Sequence, residues 1–286
     1  MPKTAAASLT GVPETMLWTL HNRASEAMRR DGVLDDPKAV EIYRSIDYDY
    51  RRSFGRANPS HALRSVAFDL EVESFLTKHP DGVVVNLGEG LETQRFRVRS
   101  PRNLWLTVDL PEAIEARERF IEPDDQHVHL AVSALDRAWI PAVPRDRPTI
   151  LTAQGLFMYF REEEVRALLQ DIAERVDRFT LVFDVIPRWL SRKTLSRRGL
   201  RMTRHYRTPD MPWGLDCDDV RSTFERWLGS GVAAEEVQFP SFPRGPVRYL
   251  SKLVMSTPVL RKRLPTIVKL RSERPRRRHP TRRSAA

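Results

Sequence analysis

Short, uninterrupted apolar runs recur along the chain from residue 83 onward, and no other feature constrains the fold as strongly. These runs are VVVNL (83–87), LWLTVD (104–109), VHLAV (128–132), TILTA (149–153) and FTLVFDV (179–185). Runs of this length without polar alternation are typical of strands that are buried on both faces, as in a parallel sheet.

Helical patterns lie between these runs. In REEEVRALLQDIAERV (161–176) the apolar residues recur at a helical spacing and form one continuous stripe. Helices are also predicted over 111–121, where Pro111 suits the first helical position, and from an N-cap at Ser60 to about His79. Strands that alternate with helices predict an α/β fold with a doubly wound, mostly parallel sheet, which binds its ligands at the carboxyl ends of the strands.

Two further strand candidates follow a less regular segment, 186–220. AAEEVQF (233–239) and VRYLSKLVM (247–255) are close enough along the chain to pair as an antiparallel hairpin at one edge of the sheet. With 286 residues and 41% hydrophobic content, the chain can bury the core of one large α/β domain or two small ones.

The net charge of +10 comes from the C-terminal tail. Residues 261–286 hold 11 of the 48 basic residues and one of the 38 acidic residues, so the first 260 residues are formally neutral. We expect this tail to be solvated and disordered. The alternative is weak, salt-dependent contact with a polyanion such as nucleic acid or an anionic lipid surface.

Cysteine usage and the lack of long apolar runs indicate the compartment. The single Cys217 excludes an internal disulfide and a cysteine-rich metal site, which fits a reducing compartment. No run approaches the ~18 to 20 apolar residues of a membrane span, and the N-terminal residues make a poor signal peptide. We therefore expect a soluble, cytoplasmic protein that has no metal site and no membrane partner.

A glycine loop follows the first predicted strand. Gly88 and Gly90 lie in NLGEGLETQ, and Asp109 ends the next strand. Glycines at a strand end let a ligand approach the backbone, and an acid at the tip of the second strand can accept hydrogen bonds from an adenosine ribose. A dinucleotide site would have a third glycine where Thr93 stands, and no Lys-Ser or Lys-Thr follows to make a phosphate loop. The pattern favours an adenosine cofactor without phosphates, such as S-adenosylmethionine.

Five blocks, in order along the chain, carry a more specific resemblance. They are VVVNLGEGLETQRFRV, WLTVDLPEAIEARERFI, AVSALDRAWI, TILTAQGLFMYFREEEVRALL and LVFDVIPRW. They resemble the leucine carboxyl methyltransferase family, and MPWGL at 211–215 is similar to its polyketide-synthesis O-methyltransferase branch. The resemblance runs from about residue 13 to about residue 255 and leaves the basic tail outside.

The resemblance implies a class I S-adenosylmethionine-dependent methyltransferase with a seven-stranded sheet and an antiparallel C-terminal hairpin. It implies one methyltransferase domain over 1–260, in which 13–78 form a helical cap and 186–220 form an insert on the acceptor side. The tail, 261–286, lies beyond this domain.

The resemblance also implies a cofactor site made of seven residues: Arg64, Gly88, Gly90, Asp109, Leu135, Asp136 and Gln154. Arg64 matches the arginine that pairs with the methionine carboxylate. Asp109 matches the acid that binds the ribose, and Leu135 with Asp136 matches the pair beside the adenine. Gln154 stands where many relatives have Glu, and Glu92 and Gln94 stand where many have Asp and Arg.

The catalytic residues depend on the acceptor. A carboxylate with a pKa near 4 is ionised at neutral pH and needs only placement, whereas a phenol with a pKa near 10 would benefit from a base. Tyr159, after the fourth predicted strand, and His205, in the 186–220 insert, are the candidate catalytic residues. Three aromatic side chains could form the wall around an aromatic acceptor: Trp189, Tyr206 and Trp213. Arg51 or Arg207 could bind the carboxylate of such an acceptor.

These observations predict an O-methyltransferase that acts on a carboxyl or hydroxyl group of a small, aromatic or polyketide-like metabolite. Two alternatives stay open. One is a protein or peptide carboxyl methyltransferase, which would need a groove that admits a chain terminus. The other is a non-catalytic protein that associates with nucleic acid through its basic tail.

Overall fold

The computed structural model describes residues 4–5, 14–100, 102–242, 244, 257, 261 and 263–272. In these ranges the strands are β1 (Thr4–Ala5), β2 (Ile46–Asp47), β3 (Val83–Leu87), β4 (Leu104–Asp109), β5 (His127–Ala131), β6 (Thr149–Ala153), β7 (Phe179–Val185), β8 (Val232–Val237) and β9 (Thr266–Ser272). The α-helices are α1 (Thr15–Ala27), α2 (Pro37–Ser45), α3 (Tyr50–Phe54), α4 (Ser60–Lys78), α5 (Gln94–Arg97), α6 (Pro111–Glu118), α7 (Glu162–Arg175), α8 (Arg188–Leu195) and α9 (Val220–Leu228). Short 3₁₀ helices cover Arg137–Ala142, Phe157–Tyr159 and Cys217–Asp219.

A seven-stranded sheet with the order β5-β4-β3-β6-β7-β9-β8 forms the centre of the fold. Strands β5, β4, β3, β6 and β7 pair in parallel, and β9 pairs antiparallel with both β7 and β8. All five apolar runs are strands of this sheet, which confirms the predicted α/β fold. The order reverses between β3 and β6, and parallel α/β sheets bind ligands at such a reversal.

Helices cover both faces of the sheet. On one face, Phe68 and Val72 of α4 pack with Val84 of β3 and Trp105 of β4. On the opposite face, the predicted apolar stripe of 161–176 lies on α7. It packs with strand residues whose side chains point the other way, such as Val85, which follows Val84 on β3. Burial on both faces explains why these strands read as continuous apolar runs.

The N-terminal helices divide into two groups. Helices α1 to α3 form a separate core in which Leu20, Ile42 and Phe54 pack together, and Leu91 after the glycine loop joins it. Helix α4 instead belongs to the layer beneath the sheet, so the predicted cap 13–78 is only partly a cap. Ser60 is the first helical residue and not the N-cap, because Pro59 holds that position.

The C-terminal antiparallel pair forms with a different strand from the one predicted. Strand β8 matches the first predicted strand, but its partner is β9, whereas 247–255 lies outside the described residues. The prediction of a disordered tail from residue 261 is therefore wrong for Thr266–Ser272. Ile267, Val268 and Leu270 are buried between the layers, and this burial stabilises a strand amid basic residues.

Candidate active site

A cavity of about 280 Å³ lies at the carboxyl ends of β3, β4, β6 and β7. Helix α1 contributes Thr15, Met16 and Trp18 to its wall, and α4 contributes His61 and Arg64. The 186–220 insert closes a further side with apolar residues, namely Leu190, Leu200 and Met211. The sheet therefore supplies the floor of the cavity, and the N-terminal helices and the insert supply its walls.

The glycine loop is one edge of this cavity. Gly88 has φ +63° and Gly90 has φ +52°, a region of backbone space that favours glycine. A Cβ on Gly88 would lie 2.6 Å from the Leu156 side chain, and one on Gly90 would lie 3.1 Å from Cβ of Met16. The loop is thus closely covered by α1 and by the turn after β6.

Asp109 fixes this loop from the end of β4. Its Oδ2 accepts a hydrogen bond from the Gly90 backbone N–H at 2.7 Å, and its Oδ1 accepts one from the Leu110 N–H at 2.8 Å. Burial raises the pKa of Asp109, while these two hydrogen bonds oppose the rise. Each carboxylate oxygen has a second lone pair, so the group can still accept hydrogen bonds from ribose hydroxyls in the cavity.

Arg64 lies across the cavity, paired with Asp184. Its Nη1 donates to Oδ2 of Asp184 at 3.0 Å, and the other Asp184 oxygen accepts the Gly155 backbone N–H at 2.5 Å. Nε of Arg64 and Oε1 of the neighbouring Gln154 are buried and have no hydrogen-bond partner within the described part of the chain. Because buried polar atoms are normally hydrogen-bonded, these two atoms mark a place for a polar ligand.

Buried charges hold the helices against the glycine loop. Oε1 of Glu92 accepts hydrogen bonds from Arg23 of α1 at 3.0 Å and from Arg97 of α5 at 2.6 Å, and Oε2 accepts one from Ser65 of α4. Burial would raise the pKa of Glu92, but the two guanidinium groups outweigh burial and lower it. Glu92 is therefore part of a buried, structural ion cluster beside the loop.

Of the two candidate catalytic residues, one lines the cavity and the other lies outside it. Tyr159 lines the cavity, and burial raises the pKa of its hydroxyl to about 12. A hydroxyl with this pKa is a hydrogen-bond donor at neutral pH and not a base. His205 is exposed outside the cavity, where its Nε2 accepts a hydrogen bond from Nε of Arg204 at 2.8 Å. The prediction that His205 is catalytic is therefore not supported by its position.

The adenine-side pair lies outside the cavity wall. Leu135 packs against the core, and the exposed Asp136 accepts a hydrogen bond from the Ala138 backbone N–H at 2.9 Å, which caps a 3₁₀ helix. Both follow β5, on the same side of the sheet as the glycine loop. Their role at the adenine remains a prediction.

The predicted walls of the acceptor site are also placed elsewhere. Trp213 and Tyr206 are buried in hydrophobic cores, and Trp189 is exposed with its indole N–H donating to the Arg263 carbonyl. Arg207 pairs with Asp210 at the surface, and Arg51 is exposed. Apolar residues of the insert wall the cavity in their place.

Sequence reasoning missed Asp184 and His61, which both line the cavity. Asp184 stands near the end of a buried strand, as Asp109 does, so the same pattern could have identified it. His61 lies one helical turn before Arg64, and a pattern of polar residues on that face of α4 was the available signal.

The described ranges contain neither a cluster of metal-ligating side chains nor a helix that could span a membrane. His127 and His129 lie close together on β5, but no group of three or more His, Cys, Asp or Glu side chains there could hold a metal ion. None of the helices in those ranges has the length and apolar character needed to span a bilayer.

The sequence matches a known protein family over more than half of its length. A sequence model described as leucine carboxyl methyltransferase matches residues 16–173. The chain belongs to the leucine carboxyl methyltransferase family. This family assignment covers α1 to α7, which include the glycine loop, Arg64 and Asp109.

Two relatives are similar in sequence, and one solved structure is similar in fold. The tetracenomycin polyketide synthesis O-methyltransferase TcmP of Streptomyces glaucescens is 31% identical over 254 residues, which cover 78% of this chain and 92% of TcmP. The S-adenosyl-L-methionine-dependent methyltransferase dpfgK of Gibberella zeae is 29% identical over 183 residues, or 58% of this chain and 61% of dpfgK. The plantazolicin methyltransferase BamL has the same fold, with a TM-score of 0.52 at 12% identity over 91% of this chain and 99% of BamL.

As a member of this family, the protein is an S-adenosylmethionine-dependent methyltransferase. The cavity fits this cofactor, because it combines a close glycine loop, an acid at the end of β4, and the unpartnered Nε of Arg64 and Oε1 of Gln154. When bound, the cofactor supplies a methyl group on a positively charged sulfur.

Proposed function

We propose that the protein methylates an oxygen atom of a small, polyketide-like metabolite. The similarity to TcmP along 78% of this chain supports an acceptor of this class. The apolar wall of the insert supports it as well, because Leu190, Leu200 and Met211 present a surface that suits a fused-ring or acyl skeleton.

The protonation states in the cavity favour an acceptor oxygen that is already ionised. Tyr159 keeps its proton because its pKa is about 12, and the Asp184 carboxylate is engaged by Arg64 and the Gly155 N–H. With His205 outside the cavity, a carboxylate acceptor needs no proton removal, whereas a neutral phenol would need a base. The proposed reaction is therefore the formation of a methyl ester on a carboxylate, with the side chains acting mainly by alignment.

A matched set of acceptors tests the proposal. The enzyme and S-adenosylmethionine would be incubated with polycyclic aromatic carboxylic acids, with the same skeletons bearing only phenols, and with a short peptide that has a free C-terminus. From the carboxylic acids we expect a product that is heavier than the acid by the mass of one methylene group. Mild alkali should convert this product back to the acid, because methyl esters hydrolyse and aryl methyl ethers do not.

Two results would contradict the proposal. Alkali-stable products from the phenols alone would overturn carboxylate methylation. Turnover of the peptide in preference to every small acid would instead favour a peptide carboxyl methyltransferase. An Asp109→Ala variant serves as the negative control, because it should lose product formation with each acceptor.

A further inference from the structure

His61 occupies a position beside Arg64 that neither the sequence motifs nor the family resemblance explains. It lies in the first turn of α4, three residues before Arg64, so the two side chains share one face of the helix. Both line the cavity. The His61 ring packs in a T-shaped arrangement with Trp18 of α1, with ring centroids 4.8 Å apart and an interplanar angle of 85°.

Asn22 determines which nitrogen of His61 carries the proton. The Asn58 backbone N–H donates to Oδ1 of Asn22 at 3.1 Å, which fixes the orientation of the Asn22 amide. The Asn22 Nδ2 group therefore faces the His61 ring and donates to its Nδ1 at 2.8 Å. A ring nitrogen that accepts a hydrogen bond has no proton, so the single proton of neutral His61 is on Nε2.

The surroundings also keep the ring neutral. Burial, and then the positive charges of Arg64 and Arg23, hold the pKa of His61 well below its usual value, and the negative charge of Glu92 opposes them only in part. His61 is thus an Nε2–H hydrogen-bond donor at neutral pH and neither a cation nor a base.

We propose that His61 donates its Nε2–H to the methionine carboxylate of S-adenosylmethionine, as a second donor beside Arg64. Arg64 shares its charge with Asp184 and keeps a buried Nε without a partner in the described ranges. The two side chains therefore present donors on one helical face, and the carboxylate is the only anionic group of the cofactor. Asn22 acts as the positioning residue that holds the donating tautomer.

Calorimetry with two ligands tests this assignment. S-adenosylhomocysteine contains the aminocarboxylate, whereas 5′-methylthioadenosine lacks it and keeps the adenosine. We expect His61→Phe to weaken S-adenosylhomocysteine binding by about 10- to 100-fold, as for the loss of a hydrogen bond to a charged group, and to leave methylthioadenosine binding unchanged. His61→Gln, which keeps a side-chain N–H, should retain most of the affinity.

The controls separate the proposal from damage to the fold. His205→Gln changes an exposed histidine outside the cavity and should bind both ligands as the unchanged protein does. Unaltered S-adenosylhomocysteine affinity in His61→Phe, or an equal loss for both ligands, would overturn the role at the carboxylate. No acceptor is used, so the result does not depend on whether the enzyme methylates the proposed class of metabolite.

Nitrogen NMR tests the His61 tautomer on which the proposal depends. Long-range proton–nitrogen spectra of the full chain, with the His61 signals identified by their loss in His61→Gln, should show a protonated Nε2 and an unprotonated Nδ1. The pattern should persist between about pH 6 and pH 8, because the pKa of His61 lies well below that range. An ordinary histidine, with a pKa of about 6.5, would titrate there. A proton on Nδ1, or a titration within this range, would contradict the proposal.

Discussion

The carboxylate of Asp109 accepts a hydrogen bond from the backbone N–H of Gly90 at 2.7 Å. One side chain at the end of β4 therefore both shapes the glycine loop and occupies the position of the ribose acid. Loss of this carboxylate would remove the loop contact together with the predicted ribose contact, so we expect its effects on binding and on stability to be linked.

For Asp109→Ala we expect weaker S-adenosylhomocysteine binding by at least about 10-fold and a free energy of unfolding lower by about 1–3 kcal/mol, because the buried Gly90 N–H loses its acceptor. Calorimetry and urea unfolding measure the two effects. Asp210→Ala is the matched control, since Asp210 is an exposed acid paired with Arg207, and its removal should change stability by no more than about 1 kcal/mol. Unchanged binding in Asp109→Ala would disprove the ribose role.

Two glycines with positive φ distinguish the effect of backbone strain from the effect of contact with the site. Gly155 has φ +65° and a Cβ there would lie 2.7 Å from Nη1 of Arg64, whereas Gly229 has φ +72° with no atom within 4 Å of such a Cβ. Alanine at either position should cost about 1–3 kcal/mol of stability, because a positive φ is unfavourable for a residue with a Cβ. Only Gly155→Ala should also weaken S-adenosylhomocysteine binding, by roughly 10-fold, because the flexible end of Arg64 must move away. Equal binding by the two variants would show that the Arg64 position is unimportant.

Two truncations test the unexpected strand. Removal of residues 273–286 keeps β9 and should leave S-adenosylhomocysteine affinity and thermal stability close to those of the full chain. Removal of residues 265–286 deletes β9, which pairs with β7 on one side and with β8 on the other. We expect that protein to lose its cooperative thermal transition, because a central strand and the buried Ile267, Val268 and Leu270 are gone. A stable, ligand-binding protein without 265–286 would contradict the strand assignment.

His127 should make stability depend on pH. Burial, and then the charges of Arg117, His129 and Arg95, lower the pKa of His127 to about 3. Between this value and the unfolded value near 6.5, the unfolded chain binds a proton that the folded chain does not, so stability falls as the pH falls. The loss from this residue should be about 2 kcal/mol at pH 5 relative to neutral pH. Urea unfolding at pH 7.5 and pH 5 should show a smaller difference for His127→Gln, and equal differences would refute this account.

The sequence predicted those parts of the fold whose signal is local. The five strands follow from continuous apolar runs, and the stripe of α7 follows from a helical spacing of apolar residues; both signals are visible in a few consecutive residues. Strand β9 was missed because TIVKLRS lies within a strongly basic segment. Its place in the sheet depends on pairing with β7, and 80 residues separate the two strands along the chain. The composition around a segment reports only on residues that are near it along the chain. Strand β9 is instead stabilised by pairing with β7 and β8 in the sheet.

The candidate site shows the same division. Gly88, Gly90, Asp109 and Arg64 were predicted and line one cavity, since strand ends and one helical face bring them together. His205 was misplaced because the conformation of the 186–220 insert depends on long-range contacts, such as the hydrogen bonds from Thr203 Oγ1 to carbonyls of α3. No local pattern predicts that these contacts turn His205 toward solvent.

The position of β9 between β7 and β8 has a consequence for how the chain folds. Strand β8 is synthesised before β9, and within the described ranges its sheet partner is β9, so both β8 and the neighbouring edge of β7 await β9. Closing these long loops costs entropy before it gains contacts, and topologies of this kind fold slowly. The unpaired edge of β7 is then the surface most prone to intermolecular pairing in a nascent or partly folded chain. The methyl-donor cavity lies beside that edge, so a competent site forms only after residues far beyond the glycine loop have been made.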